Sequence, residues 1–159
     1  MKSHEKCSSG LDIDIREQFT FFASDKTLTR LLEKLADRSI NIAAIMLSKD
    51  KSGKNFVRLV PGDTDSQTKE TLHSLREILE GLHIHFKQEA VIAFANIPAG
   101  VPGTINEIFG ILWCRTEVKA LYNGENDSLY ISVSNLRKAL EALSEKHIRR
   151  CSSECTCCE

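Results

Sequence analysis

The sequence has little of the long apolar runs that address a protein to a membrane or anchor it there. Its first residues, MKSHEKCSSGLDIDI, contain no apolar run of signal-peptide length, and no stretch approaches the roughly 20 apolar residues of a membrane-spanning helix. We therefore expect a cytoplasmic protein without a membrane partner. Thiols in that compartment are mostly reduced, so the 6 cysteines are not expected to form a disulfide framework.

An excess of charge of one sign is also missing. Lysine and arginine number 21, aspartate and glutamate 22, and the formal net charge is −1. Proteins that hold a nucleic-acid backbone need a basic stripe or patch, and neither this nor an RNA-type aromatic motif is present. Nucleic acid is therefore excluded as a partner. With 42% hydrophobic residues, the 159-residue chain can bury a core, as one larger domain or two small ones.

Motifs for catalysis are missing as well. The sequence has no nucleophile elbow, no His-Glu-x-x-His and no paired acid motif. Cys114 follows Trp113 at the end of a predicted helix and is interpreted as a buried structural thiol. His83 and His85 are placed on one face of a predicted strand, which Lys87 continues, so we interpret them as an ordinary half-solvated strand. We expect no enzyme activity and no cofactor.

Strand and helix patterns alternate along the first half in the order β-α-β-β-α-β. Strands are indicated by β-forming residues and helices by leucines at helical spacing, with Ser24 or Asp25 as the first helix cap. The predicted elements are a strand at Gln18–Ala23, a helix with Leu28, Leu31, Leu32 and Leu35, a hairpin of Ile40–Leu47 and Phe56–Val60, a helix at Gln67–Leu82 and an extended segment from His83.

The second half repeats this order. The stretch TLTRLLEKL aligns with TINEIFGIL, Leu129–Val133 takes the place of Phe56–Val60, and SNLRKALEALSEKHI aligns with LHSLREILEGLHI. We predict an α+β fold of two tandem ferredoxin-like βαββαβ units, with antiparallel sheets that carry helices on one face. The uncovered sheet faces need a partner, so we expect a homo-oligomer.

The repeat sets the predicted domain bounds. A flexible segment covers residues 1–12, the first domain 13–87, the second domain 88–150 and a cysteine-rich tail 151–159. In the alignment, RRCSS stands where HFKQE stands in the first copy. The fourth strand of the second copy is therefore either polar and cysteine-bearing or missing.

Two short motifs resemble those of the ACT-domain family, whose members sense small molecules, often amino acids, with a ferredoxin-like fold. PGTINEIFGIL, Pro102–Leu112, is similar to the family's Pro-Gly-x-apolar motif, and INI, Ile40–Ile42, is similar to the start of its second strand. The resemblance covers Ile13 to Ile148 and implies one composite ligand site that pairs Gly103 with Asn41. The first copy has SDKTL in place of Pro-Gly, and the second has Thr116-Glu117-Val118 in place of INI. An inactive structural pair would show the same losses.

The loop before the second-copy helix has the chemistry to hold an anion. Glycines at 100 and 103 can adopt positive φ, and free N–H groups at the helix start favour a carboxylate such as that of an amino acid. The predicted ligand-binding residues are Asn96, Gly100, Pro102, Gly103, Thr104, Ile105 and Asn106, together with Asn41. The alternative is that proline and glycine only build a tight strand-to-helix connection.

The C-terminal cysteines have two interpretations. Cys151, Cys155, Cys157 and Cys158 could supply thiolates to a soft metal, but they lack the two spaced Cys-x-x-Cys pairs of a structural zinc site. A disordered tail with incidental thiols is favoured, and a metal or redox role is the alternative.

Together these patterns predict a non-catalytic regulatory protein with tandem ACT-like domains, which binds an amino acid or similar small molecule at a domain interface. The alternative is a structural or assembly protein that uses the ACT-like fold to oligomerise, with the cysteine-rich tail for cross-linking or metal binding.

Overall fold

The computed structural model describes residues 5–6, 11–145 and 150–154. In chain order these form β1 (Glu5–Lys6), β2 (Asp12–Ala23), α1 (Asp25–Asp37), β3 (Ile42–Lys49), β4 (Asn55–Pro61), α2 (Lys69–Gly81), β5 (Phe86–Ala95), α3 (Thr104–Leu112), β6 (Val118–Asn123), β7 (Leu129–Val133) and α4 (Leu136–Ser144). The registered strand pairs are antiparallel, so the α+β class that the sequence predicted is confirmed. None of the described helices is long and apolar enough to cross a membrane.

The helices begin at residues that the sequence marks as caps, with one exception. The side chains of Ser24, Thr68 and Asn135 each accept a hydrogen bond from the backbone N–H three residues further on, at 3.2, 3.1 and 3.0 Å. Such caps satisfy one of the N–H groups that a helix start leaves unbonded. Helix α3 instead begins after Gly103, which has a φ of 97° and no side chain to form a cap.

The chain divides into two compact units, and the division falls inside β2 and β5. The central unit is Arg16–Ala90, and the terminal unit combines Met1–Ile15 with Val91–Glu159. Residues 11–15 therefore belong with the second half of the chain, whereas the predicted division at 13–87 and 88–150 places residues 13–15 in the first domain.

The central unit contains a sheet in the strand order β3-β4-β2-β5. Phe19 of β2 lies opposite Leu59 of β4, and the rings of Phe19 and Phe86 are 5.6 Å apart. Helices α1 and α2 cover this face because their leucines recur at helical spacing. The fully buried side chains include Phe19, Phe21, Leu31, Leu35, Leu59, Leu75 and Leu79. Each such side chain contributes about 1.5–3 kcal/mol through burial.

The terminal unit contains the strand order β6-β7-β5-β2. Ile13 is buried in one core cluster with Ile92 and Phe94, and Asn96 Nδ2 donates to Asp12 Oδ2 at 3.3 Å. The start of β2 thus lies beside β5. For the fourth strand of the second copy, the sequence had left open a polar, cysteine-bearing strand or none. Residues 150–154 form no strand. Their polar sequence lacks the alternating apolar residues that Leu11, Ile13 and Ile15 supply, so the N-terminal segment fits a half-buried strand better.

Candidate functional site

The loop between β5 and α3 depends on positive-φ backbone at three positions. Asn96, Gly100 and Gly103 have φ values of 57°, 71° and 97°. No atom lies within 4 Å of a Cβ built on either glycine, so these glycines are required for their backbone conformation and face open space. Both glycines thus use the positive φ that their lack of a side chain permits.

Helix α3 begins without a side-chain cap, unlike the other three described helices. The first helical backbone bond runs from Glu107 N–H to the Gly103 carbonyl at 2.9 Å, so it leaves the N–H groups of Ile105 and Asn106 outside the helical ladder. Together with the helix dipole, such N–H groups attract a carboxylate or another small anion.

A cleft of about 750 Å³ opens beside this helix start, within the terminal unit. Its volume lies in the range of about 300–1,000 Å³ that small-molecule sites occupy. Among the predicted ligand-binding residues, Gly103 and Asn106 line it. The others of the loop, Asn96, Gly100, Pro102, Thr104 and Ile105, lie in the same loop and first helical turn but outside the cleft lining.

The opposite wall of the cleft is the segment Arg150–Ser153, which we call the C-terminal segment. Cys151 N–H donates to the Gly110 carbonyl at 2.8 Å, and Trp113 Nε1–H donates to the Cys151 carbonyl at 3.2 Å. A Cβ at Gly110 would lie only 3.1 Å from that carbonyl oxygen. Gly110 therefore allows the segment to cross α3 at close range.

The cleft carries one side chain of each charge. Arg150 and Glu107 form an ion pair at 3.0 Å, and both are about half exposed. An exposed pair of this kind contributes about 0–1 kcal/mol, so a ligand with its own charges can compete with it. Combined with the α3 N–H groups, this arrangement complements a small molecule that bears both a carboxylate and an ammonium group.

A disulfide joins Cys114, just beyond α3, to Cys151 of the C-terminal segment, with the two Cα atoms 6.4 Å apart. The expectation that Cys114 is a buried structural thiol is therefore wrong. Cys114 is only partly buried, and the segment that crosses α3 brings a residue 37 positions away into bonding range. Within the disulfide, Cys151 offers no thiolate to a metal. Cys155, Cys157 and Cys158 lie outside the described residues.

Comparison with known proteins finds similar folds among solved structures. No protein-family model and no curated protein matches the chain. Protein BT0572 from Bacteroides thetaiotaomicron is similar in structure, with a TM-score of 0.66 and 23% identity over 86% of this chain and 92% of that one. The regulatory subunits of aspartate kinase from Thermus thermophilus and Thermus flavus, which are ACT-domain proteins, match with TM-scores of 0.52 and 0.53. The chain has an ACT-like fold. Identities of 12% and 15% to the two subunits, over 87% and 84% of this chain and 99% and 92% of theirs, establish the fold alone.

Asn41, the other half of the site that the ACT resemblance implies, belongs to the central unit of this ACT-like chain. Its carbonyl accepts the Gly62 N–H at 2.8 Å, and its Nδ2 donates to the Gly62 carbonyl at 3.2 Å. These bonds fix the start of β3, where the register with β4 shifts between Ile42 and Ala44. A ligand role for Asn41 stays a prediction.

The histidines of HIHF do not share a strand face. Strand β5 begins at Phe86, and His83 has a φ of 56° in the turn before it, so the strand interpretation of this pair is wrong. The turn follows the end of α2, where His83 N–H donates to the Glu80 carbonyl. Among the residues that the structure describes, no group of three or more histidine, cysteine or acidic side chains is placed to hold a metal.

Sequence reasoning missed seven residues that line the cleft: Glu107, Phe109, Gly110, Trp113, Arg150, Ser152 and Ser153. One signal was available. A glycine inside the helical stretch NEIFGIL weakens that helix, and such a glycine is typical of a place where another backbone approaches closely. Nothing local marked Arg150, because its position depends on a chain crossing.

Proposed function

We propose that this chain is a non-catalytic regulatory protein, which binds an amino acid or a similar small molecule in the cleft beside Gly103. The observation that carries the proposal is the helix start of α3, which has no side-chain cap and opens on a cleft of about 750 Å³. The ACT-like fold, which the chain shares with subunits described as regulatory, supports the same class of function.

The cleft suits a zwitterion. A ligand carboxylate would accept a hydrogen bond from the N–H group of Asn106, which lines the cleft where the helix dipole is positive. An ammonium group would approach the Glu107 carboxylate, and an apolar side chain would contact Trp113. Each group of the ligand would then contact a protein group that the cleft already holds in place. Little conformational entropy would therefore be lost when the site orders around the ligand.

We further propose that the chain acts as a homo-oligomer. Ile105 and Phe109 are four residues apart on α3 and 48% and 43% exposed, and Val101 in the preceding loop is 55% exposed. A second copy that covered this apolar surface would lie beside the ligand loop, and its Asn41 could supply the strand-edge contact that the ACT resemblance implies. Ligand binding would then favour the paired state by the difference in its affinity for the two states.

A thermal-shift screen of the twenty amino acids with the full chain tests the ligand. At a concentration one hundred times its Kd, a ligand stabilises the folded state by about 2.7 kcal/mol. For a chain of this size the melting temperature should rise by about 5–10 °C. The substitution Gly103→Val should abolish the rise, because it adds a β-branched side chain at positive φ beside the N–H groups.

Gly53→Val is the matched control. Gly53 lies in the turn between β3 and β4, has a φ of 81° and has no atom within 4 Å of its Cβ position. Both substitutions impose a similar backbone penalty, but only the one at Gly103 should remove the ligand response. A full rise in the Gly103→Val chain would exclude this cleft. If no amino acid raised the melting temperature, while light scattering showed an oligomer that Phe109→Ser dissociates, the assembly alternative would replace the proposal.

A further inference from the structure

We propose that Cys114 and Cys151 form a thiol–disulfide switch, which fastens the C-terminal segment across α3 when oxidised and releases it when reduced. This proposal does not depend on the identity of any ligand. It rests on what holds the segment, on how the disulfide can be reached, and on what the segment covers.

Besides the disulfide, the interactions that hold the segment include three weaker contacts. These are the hydrogen bond from Cys151 N–H to Gly110 at 2.8 Å, the one from Trp113 Nε1–H at 3.2 Å, and the ion pair of Arg150 with Glu107 at 3.0 Å. The ion pair is solvent-exposed and water can replace both hydrogen bonds, so each contributes little net stability. The disulfide is the one covalent link among them, and it should therefore decide whether the segment stays bound.

Each cysteine of the disulfide lines a cleft. Cys151 lines the cleft beside Gly103, and Cys114 lines a second cleft of about 460 Å³. The side chains of Arg115 and Lys138 line this second cleft, together with the carboxylates of Glu141 and Glu145. Arg115 binds Glu145 through two bonds of 2.8 and 3.2 Å. The lining therefore holds two cations and two carboxylates, and an incoming thiolate would meet no excess of either charge.

The reductant that the switch requires is a dithiol, either a small molecule or a protein. One of its thiolates attacks a sulfur of the Cys114–Cys151 bond and forms a mixed disulfide, and the other cysteine leaves as a thiolate that takes up a proton. The second thiol of the reductant then displaces the remaining cysteine. Two electrons pass to the protein, both cysteines become thiols, and the reductant becomes a disulfide.

Release would change the surface of α3. It would expose Gly110, remove the hydrogen-bond partner of the Trp113 indole and withdraw Arg150 from Glu107. The cleft would lose one of its two walls. Any molecule that binds on this side of α3 would then meet a different surface in each thiol state.

The chain provides its own reporter, because Trp113 is its 1 tryptophan. Its indole N–H bonds directly to the Cys151 carbonyl, so the emission wavelength and the access of a soluble quencher depend on whether the segment is in place. The test uses the full-length chain with Cys7, Cys155, Cys157 and Cys158 replaced by serine. Cys114 and Cys151 then remain of the 6 cysteines.

After oxidation with glutathione disulfide, a non-reducing tryptic digest should yield the peptides of Cys114 and Cys151 joined together. Dithiothreitol should then shift the Trp113 emission to longer wavelength and raise its quenching by acrylamide, and reoxidation should reverse both changes. Cys114→Ser in the same background should give the reduced spectrum whether or not dithiothreitol is present.

If the Cys114→Ser chain did not fold, the reversible reduction and reoxidation of the parent chain would still decide the question. Failure to recover the joined peptides after oxidation would overturn the proposal. So would joined peptides together with an emission and a quenching that dithiothreitol leaves unchanged, because the segment would then stay in place without its covalent link.

Discussion

Replacing Gly110 by alanine should have opposite effects in the two thiol states. Glycine inside a helix costs about 1 kcal/mol relative to alanine, so the substitution alone stabilises α3. In the oxidised chain, however, the new Cβ meets the Cys151 carbonyl oxygen at 3.1 Å, closer than ordinary van der Waals contact. The disulfide prevents the segment from leaving, so the segment must shift while it remains attached.

The size of the effect follows from the bonds that the shift weakens. Cys151 makes one backbone hydrogen bond to Gly110 and accepts one from Trp113, and each contributes about 0.5–1.5 kcal/mol. Loss of both would cost about 1–3 kcal/mol against the gain of about 1 kcal/mol in helix propensity. We expect Gly110→Ala to range from neutral to about 2 kcal/mol destabilising when oxidised, and to stabilise by about 1 kcal/mol when reduced.

Urea unfolding followed by Trp113 fluorescence measures both values, in the full-length background that retains Cys114 and Cys151. Gly81→Ala is the matched control, since Gly81 ends α2 and has no atom within 4 Å of its Cβ position. Its effect should be the same in both thiol states. If the effect of Gly110→Ala also agreed between the two states within about 0.5 kcal/mol, the close crossing of the segment over α3 would be refuted.

Three further predictions concern the fold. Leu31→Ala should destabilise by about 2–5 kcal/mol in urea unfolding because Leu31 is 0% exposed, whereas Leu32→Ala, at 38% exposed, should cost much less. Equal losses would contradict the helical stripe. Asn135→Ala should cost about 1 kcal/mol through loss of the α4 cap, and no change would contradict it. Chiefly because of the hydrogen bond from Lys49, the pKa of Asp25 lies below its ordinary 3.8. The Asp25 carboxylate therefore stabilises the folded state above that value, and this stabilisation is lost as pH falls through the lowered pKa. The unmodified chain should melt at a higher temperature than Asp25→Asn at neutral pH, and the difference should vanish in acid.

The sequence predicted those parts of the fold that local chemistry determines. The start of α3, a cap at Ser24 or Asp25 and the freedom of Gly103 to adopt positive φ each depend on residues within one or two turns of chain. The start of β2 was missed although Leu11, Ile13 and Ile15 alternate with aspartates. Its partner strand, β5, lies some 80 residues away, as the bond between Asp12 and Asn96 shows with a separation of 84. Alternation of apolar and polar residues indicates a strand, but it does not show which unit's sheet the strand joins.

The same distinction between local and distant determinants separates the two glycines of the site. Gly103 is required by its own backbone conformation, which the sequence shows, whereas Gly110 is required by the space that a distant segment occupies, which it does not. Both residues lie on or at the start of one helix of 9 residues, about 14 Å long at 1.5 Å per residue, and both line one cleft. The C-terminal segment itself forms a wall of that cleft. Release of the C-terminal segment at Gly110 would therefore alter the same cleft onto which the uncapped N–H groups open. A ligand held there would then bind with different affinity in the two thiol states, and by linkage its binding would shift the thiol–disulfide equilibrium by the same free energy.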